Sequence, residues 1–123
     1  MKGINFFHGM KEEDIQKILN TSNERLYSRG TIIFSEGQKT DGIYIITEGL
    51  IKVYKMSVDG REKTLAILSP GDILGEMALF DHNLRSATAE ALEATKVNVI
   101  PRQDFERLLE EMPVLATKLI RVL

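Results

Sequence analysis

The pairs Gly75-Glu76 and Arg85-Ser86 concentrate the most chemically suggestive groups of this chain, with carboxylate and guanidinium nine residues apart. A glycine has no Cβ, so Gly75 would let the backbone pass close beside a ligand. Arg85 can clamp a phosphate through two parallel, charge-assisted hydrogen bonds. Glu76 is a strong acceptor suited to a ribose hydroxyl. Residues 76–80 can form one helical turn, whose free N–H groups make an anion site. Taken alone, Glu76 and Arg85 are more simply a structural ion pair bracketing a loop. With Gly75 and the helical turn beside them, they match a sugar joined to a monoanionic phosphate.

The elements that must position these groups follow from periodicity. Short β-branched and aromatic runs occupy residues 31–34, 43–47, 50–56, 63–68, 86–91 and 96–100. Gly37, Gly42, Gly49, Asp59-Gly60 and Pro70-Gly71-Asp72 punctuate them. Asp59-Gly60 between two such runs predicts a hairpin with a primed turn, which needs positive φ. Before the strands, residues 11–19 read as an amphipathic helix. Its Glu12, Glu13 and Asp14 suit the positive end of a helix dipole better than a catalytic pair. Phe6, Phe7 and Met10 are expected core anchors. After Ile100, a helix opens at residues 101–104 with Phe105, Leu108 and Leu109 on one face. Pro113 cannot continue that helix but is suited to start another. The apolar stripe Val114, Leu115, Leu119, Ile120, Val122 and Leu123 then stops in mid-pattern. Its continuation as a longer helix is one expectation, and docking of a last turn on the strands is the other.

Composition narrows the function. The 123 residues include 43% hydrophobic ones, enough for one core. A single domain over residues 1–123 is expected. The absence of cysteine excludes disulfides, thiolate zinc sites and a cysteine nucleophile. No run approaches the roughly 18 apolar residues of a membrane span, and no signal-peptide core is visible. A cytoplasmic address and no membrane partner are expected. Sixteen Lys and Arg against eighteen Asp and Glu give a net charge of −2. That balance predicts no direct nucleic-acid contact by this chain. His8 and His82 stand far apart without cysteine partners, so no metal site is read from them. No Gly-x-Ser-x-Gly elbow supports a hydrolase, and the chain is not read as an enzyme.

The motif Gly75-Glu76-Met77-Ala78-Leu79 with Arg85-Ser86-Ala87-Thr88 resembles the phosphate-binding cassette of the cyclic nucleotide-binding domain family. The likeness runs from residue 25 to 123 and leans toward the ligand domain of catabolite activator protein-like (CRP/FNR) bacterial regulators. Gly37, Gly49, Gly60 and Gly71 stand where the family places its turns. The resemblance implies a mainly β fold with flanking helices (α+β), an antiparallel β-roll of jelly-roll type. It implies cAMP, or cGMP, as ligand and no catalytic cofactor. Glu76 would accept the ribose 2′-hydroxyl and Gly75 would pass beside the sugar. Arg85 would pair with the cyclic phosphate, helped by the N–H groups of Ala78 and Ser86. Val53, Leu65 and Leu68 match positions lining the base pocket, although apolar strand residues are core residues by default.

Two features depart from the family. Many eukaryotic relatives carry Gly-x-Pro before the arginine, where this chain has His82-Asn83-Leu84. The polar residues that contact the purine in activator-like members would fall beyond Leu123. The resemblance also places a homodimer seam on the last helix, and it assigns DNA contact to a helix-turn-helix module outside this chain. Two alternatives stay open from sequence: a β-roll interaction domain with another ligand or none, and the cyclic-nucleotide sensor of a kinase or channel.

Overall fold

The computed structural model describes residues 7–75 and 84–122, with side chains as far as Lys118. Among them are helix α1 (Glu12–Thr21), eight strands and two C-terminal helices. The strands are β1 (Asn23–Tyr27), β2 (Ile32–Phe34), β3 (Ile43–Glu48), β4 (Ile51–Met56), β5 (Glu62–Leu68), β6 (Ile73–Leu74), β7 (Thr88–Ala91) and β8 (Thr95–Ile100). Helices α2 (Arg102–Glu111) and α3 (Pro113–Val122) follow. They form two four-stranded antiparallel sheets in the orders β1-β8-β3-β6 and β2-β7-β4-β5.

Strand β3 shows why the chain folds into three layers. Its side chains alternate between faces, yet Ile43, Tyr44, Ile45 and Ile46 are all buried. Tyr44 and Ile46 enter the core between the sheets, with Phe34, Ile51, Leu68, Leu74, Ala89, Val97 and Val99. Ile43 and Ile45 face the other way, into a second core with Ile18 of α1, Ile73, Ile100, Phe105, Leu108, Met112 and Leu115. Burying each such side chain stabilises the fold by about 1.5–3 kcal/mol. Helix α2 contributes Phe105 and Leu108, three residues apart and on one face. Pro113 opens α3, where its missing N–H costs no intrahelical bond.

The three helices and the strand runs stand close to their expected bounds, and Phe7 and Met10 pack against the helix-side core. Four features differ. Asn23–Tyr27 is a strand despite its polar composition, because it pairs along the edge strand register with β8 from Asn23↔Val99 to Tyr27↔Thr95. The two-residue strand β6 is too short to show any periodicity and is created by pairing with Tyr44 and Ile45. The hairpin at Asp59-Gly60 forms, but with five residues, 57–61, between the strands. Its turn is closed by Gly60 N–H donating to Ser57 O at 2.9 Å, and Gly60 adopts φ +84°. Ser86 and Ala87 precede β7 rather than beginning it. Phe6 and residues 76–83 lie outside the described residues, as do the side chains of Leu119, Ile120 and Val122.

Candidate functional site

A turn at Pro70-Gly71-Asp72 delivers the backbone to Gly75. The buried Asp72 accepts the Ser69 N–H at 2.8 Å, and Gly71 N–H donates to Ile46 O at 2.7 Å. This ties the turn to β3, and β6 then pairs Leu74 with Tyr44. Gly75 follows at φ +91°, a conformation that costs an L-residue with a Cβ about 1–2 kcal/mol. A Cβ there would collide with Nη1 of Arg85. The glycine is therefore required by two independent demands, backbone conformation and the space held by the guanidinium.

Arg85 is fixed at both levels of its structure. Its main chain is clasped by the β2–β3 connection, donating N–H to Gln38 O at 2.7 Å and accepting Gly37 N–H at 2.8 Å. An isolated bridge between Lys39 and Leu84 extends the clasp. The side chain turns inward and is only 2% exposed. Nη2 donates to Gly42 O at 3.0 Å and to Asp41 Oδ1 at 3.2 Å. The guanidinium carbon lies 4.1 Å over the Phe34 ring and 5.1 Å over the Tyr44 ring, which themselves meet edge to face at 5.6 Å. A desolvated cation over an aromatic face gains about 2 kcal/mol.

Nε and Nη1 of Arg85 are buried with no hydrogen-bond partner among the described residues. Each such group carries a desolvation cost of about 1–3 kcal/mol, larger for a charged group. Burial pushes the guanidinium pKa down, opposed by the neighbouring Tyr44 and Asp41. An anion presented to this edge would satisfy two donors and neutralise a buried charge at once.

Asp41 is shared. Its carboxylate accepts Arg25 Nη1 at 2.9 Å and the Tyr44 hydroxyl at 2.9 Å, beside Arg85. Burial pushes its pKa up, but hydrogen bonds from Tyr44 and Arg25 and both positive charges outweigh this and hold it below the usual carboxylate value. Tyr44 is raised, by burial first and then by its bond to the Asp41 carboxylate. Two guanidinium charges therefore face one carboxylate, leaving the cluster net positive.

Of the expected site residues, the structure brings Gly75 and Arg85 into contact. Ser86 is exposed beside Arg85, and Ala87 is buried. Glu76, Met77 and Ala78 lie outside the described residues. Val53 is half-buried and pairs with Ala66 across a β-bulge, at which Leu65 is the extra residue on β5. Leu65 is 36% exposed, whereas Leu68 pairs with Ile51 and is a member of the inter-sheet core. Leu68 thus fills the interior, Val53 packs against the same inter-sheet core, and Leu65 stands exposed at the bulge. Sequence reasoning missed Phe34, Asp41, Gly42 and Tyr44. Phe34 and Tyr44 sit in strand runs that read as core, Gly42 read only as turn punctuation, and Asp41 gave no signal of its own. No group of three or more His, Cys, Asp and Glu among the described residues could hold a metal.

The described residues thus form a two-sheet roll flanked by helices, with a buried arginine packed against a positive-φ glycine. The chain belongs to the cyclic nucleotide-binding domain family, whose family model matches residues 24–112. It is 36% identical over 123 residues to the cyclic AMP receptor protein of Thermus thermophilus, covering 100% of this chain and 57% of that protein. It is 29% identical over 117 residues to a CRP-like cAMP-activated global transcriptional regulator of Mycobacterium tuberculosis, covering 95% and 52%. The crystal structure of the Thermus thermophilus catabolite activator protein superposes with a TM-score of 0.88 at 34% identity, over 96% of this chain and 55% of that one. The expected β-roll is therefore the fold, and the chain spans about half the length of the curated relatives it matches. No helix among the described residues is long and apolar enough to cross a membrane.

Proposed function

We propose that this domain is a sensor for cAMP, bound in preference to cGMP, and that it works as the effector domain of a CRP-type transcription regulator. The observation that carries the reading is Arg85, a buried cation with two N–H groups unpartnered among the described residues and aimed past Gly75. A cyclic phosphate is a monoanion whose oxygens suit that paired-donor edge. The absent Cβ of Gly75 gives a sugar room to approach. In this reading Glu76 accepts the ribose 2′-hydroxyl, N–H groups of Ala78 and Ser86 join the phosphate, and Val53 and Leu65 cover the base. The named relatives support cAMP, one being a cyclic AMP receptor and another a cAMP-activated regulator.

The ligand is bound and released unchanged, so the domain acts as a switch rather than an enzyme. Ile73 lies in the helix-side core with Phe105, Leu108 and Leu115, only two residues before Gly75. Movement of the cassette would thus be felt by α2 and α3. The shift is limited by the difference in ligand affinity between the two states. Contact with DNA is assigned to a separate module and homodimer contact to the α3 stripe, in a cytoplasmic regulator.

Calorimetric titration of cAMP and cGMP into the protein and its Arg85→Ala variant tests the reading. The variant is expected to lose at least about tenfold in affinity, or about 1.4 kcal/mol. Undiminished binding would remove the clamp, and equal affinity for both nucleotides would remove the preference.

A further inference from the structure

We infer that Arg25, on the edge strand β1 and sixty residues before the clamp, is a positioning residue that keeps Arg85 ready for an anion by occupying Asp41. The inference rests on the phosphate-binding role proposed for Arg85. Asp41 has one negative charge and two cations against it. Its shorter bond, 2.9 Å, goes to Arg25, and its longer one, 3.2 Å, goes to Arg85. Tyr44 reinforces this division, since its hydroxyl accepts from Arg25 Nη1 at 3.1 Å while donating its single proton to Asp41. The two cations differ in environment, the Arg25 side chain being 44% exposed and that of Arg85 2%.

The consequence follows from charge sharing at a site where Arg85 is dehydrated while Asp41 and Arg25 are half-exposed. With Arg25 in place, Asp41 holds Arg85 through one Nη2 bond, and the Nε and Nη1 edge keeps its positive field. Without Arg25, the carboxylate would direct its whole charge to Arg85 and compete with an incoming phosphate. Arg25 touches no part of the Gly75–Arg85 contact, so its influence must pass through Asp41 or through Tyr44, whose hydroxyl bonds both Arg25 and that carboxylate. Loss of an exposed ion pair is by itself a small effect, and a larger change in affinity requires this coupling.

The test is a double-mutant cycle by calorimetry with cAMP on the whole chain, using Arg25→Gln, Arg25→Lys, Asp41→Asn and the Arg25→Gln/Asp41→Asn pair. Arg25→Gln is expected to weaken binding about three- to tenfold, and Arg25→Lys, which keeps the charge, to remain within about twofold of the parent. In the Asp41→Asn background the Arg25→Gln change should have no effect beyond about twofold. A second arm needs no nucleotide: the Arg85 Nε–H resonance in the free protein should shift on Arg25→Gln, but not when Asp41 is already Asn. Equal losses in both backgrounds, or an unmoved Arg85 resonance, would overturn the inference. A parent protein that binds neither cAMP nor cGMP, yet shows the resonance coupling, would sink the proposed function and leave Arg25 as the positioning residue.

Discussion

Gly75 lies so close against the Arg85 guanidinium that a Cβ on residue 75 would stand 3.3 Å from Cζ and overlap Nη1. The backbone proposed to face the sugar and the cation proposed to face the phosphate therefore share one packing contact. Gly75→Ala should strain the φ +91° backbone and displace Arg85 together. The expected cost is about 1–2 kcal/mol from the backbone, a fall in Tm of about 3–8 °C. Nucleotide affinity should fall by more than tenfold as well. Thermal melts and calorimetry on the same sample would separate the two effects, and a variant with parental affinity would show that the contact is irrelevant to binding.

Arg85 should behave as a residue retained for a ligand rather than for stability. Removing one partner of a buried ion pair is costly chiefly when it leaves the other charge buried and uncompensated, and the Asp41 side chain is 49% exposed. Asp41 would keep Arg25 and Tyr44 as partners in such a variant. Arg85→Met is therefore expected to melt within about 3 °C of the parent, or above it, without nucleotide. Its melting temperature should no longer rise when cAMP is added. A drop of about 8 °C or more in the free protein would instead make Arg85 a structural residue.

The two leucines of β5 should separate packing from recognition. Leu68→Ala empties an inter-sheet core position and is expected to cost about 2–5 kcal/mol in denaturant unfolding. Leu65→Ala, at the exposed bulge, should cost less than about 1 kcal/mol. If Leu65 covers the base, that second variant should still lose affinity for cAMP. Parental affinity in Leu65→Ala would remove it from the site.

Acid stability should report the Asp41 cluster. The carboxyl pKa is held below its ordinary value of 3.8, so the cluster's contribution is complete above that value. It is lost as pH falls from 3.8 through the lower pKa of the folded state, where the native carboxylate takes up its proton. Asp41→Asn should therefore be less stable than the parent at neutral pH, with the gap closing below about pH 4. Melts at a series of pH values would show this convergence. A gap unchanged down to the acid limit would mean that the carboxylate charge contributes nothing.

Much of this molecule was legible before folding. The three helices, six of the eight strands and the Gly75/Arg85 pairing are local or motif properties, written in periodicity, punctuation and a specific spacing. Pro113 marks the break between α2 and α3, opening the second helix. The strands that escaped, Asn23–Tyr27 and Ile73–Leu74, are made by partners rather than by their own composition. Backbone hydrogen bonding to a neighbour can recruit residues of weak preference when their groups would otherwise go unpaired.

By itself, then, the sequence determined the family and the β-roll and singled out the residues proposed to face the sugar and phosphate, because those depend on short runs and fixed spacings. Tertiary structure decided what surrounds Arg85. Phe34, Asp41 and Tyr44 reach it, and Arg25 reaches Asp41, from positions 41 to 60 residues away in the chain, and no local pattern distinguishes them from core or surface residues. It also decided that Leu68 belongs to the interior while Leu65 does not, since one bulge changes which side chains of β5 are enclosed. Burial and electrostatic environment arise only when distant elements close on one another, and they set how strongly a buried cation seeks an anion.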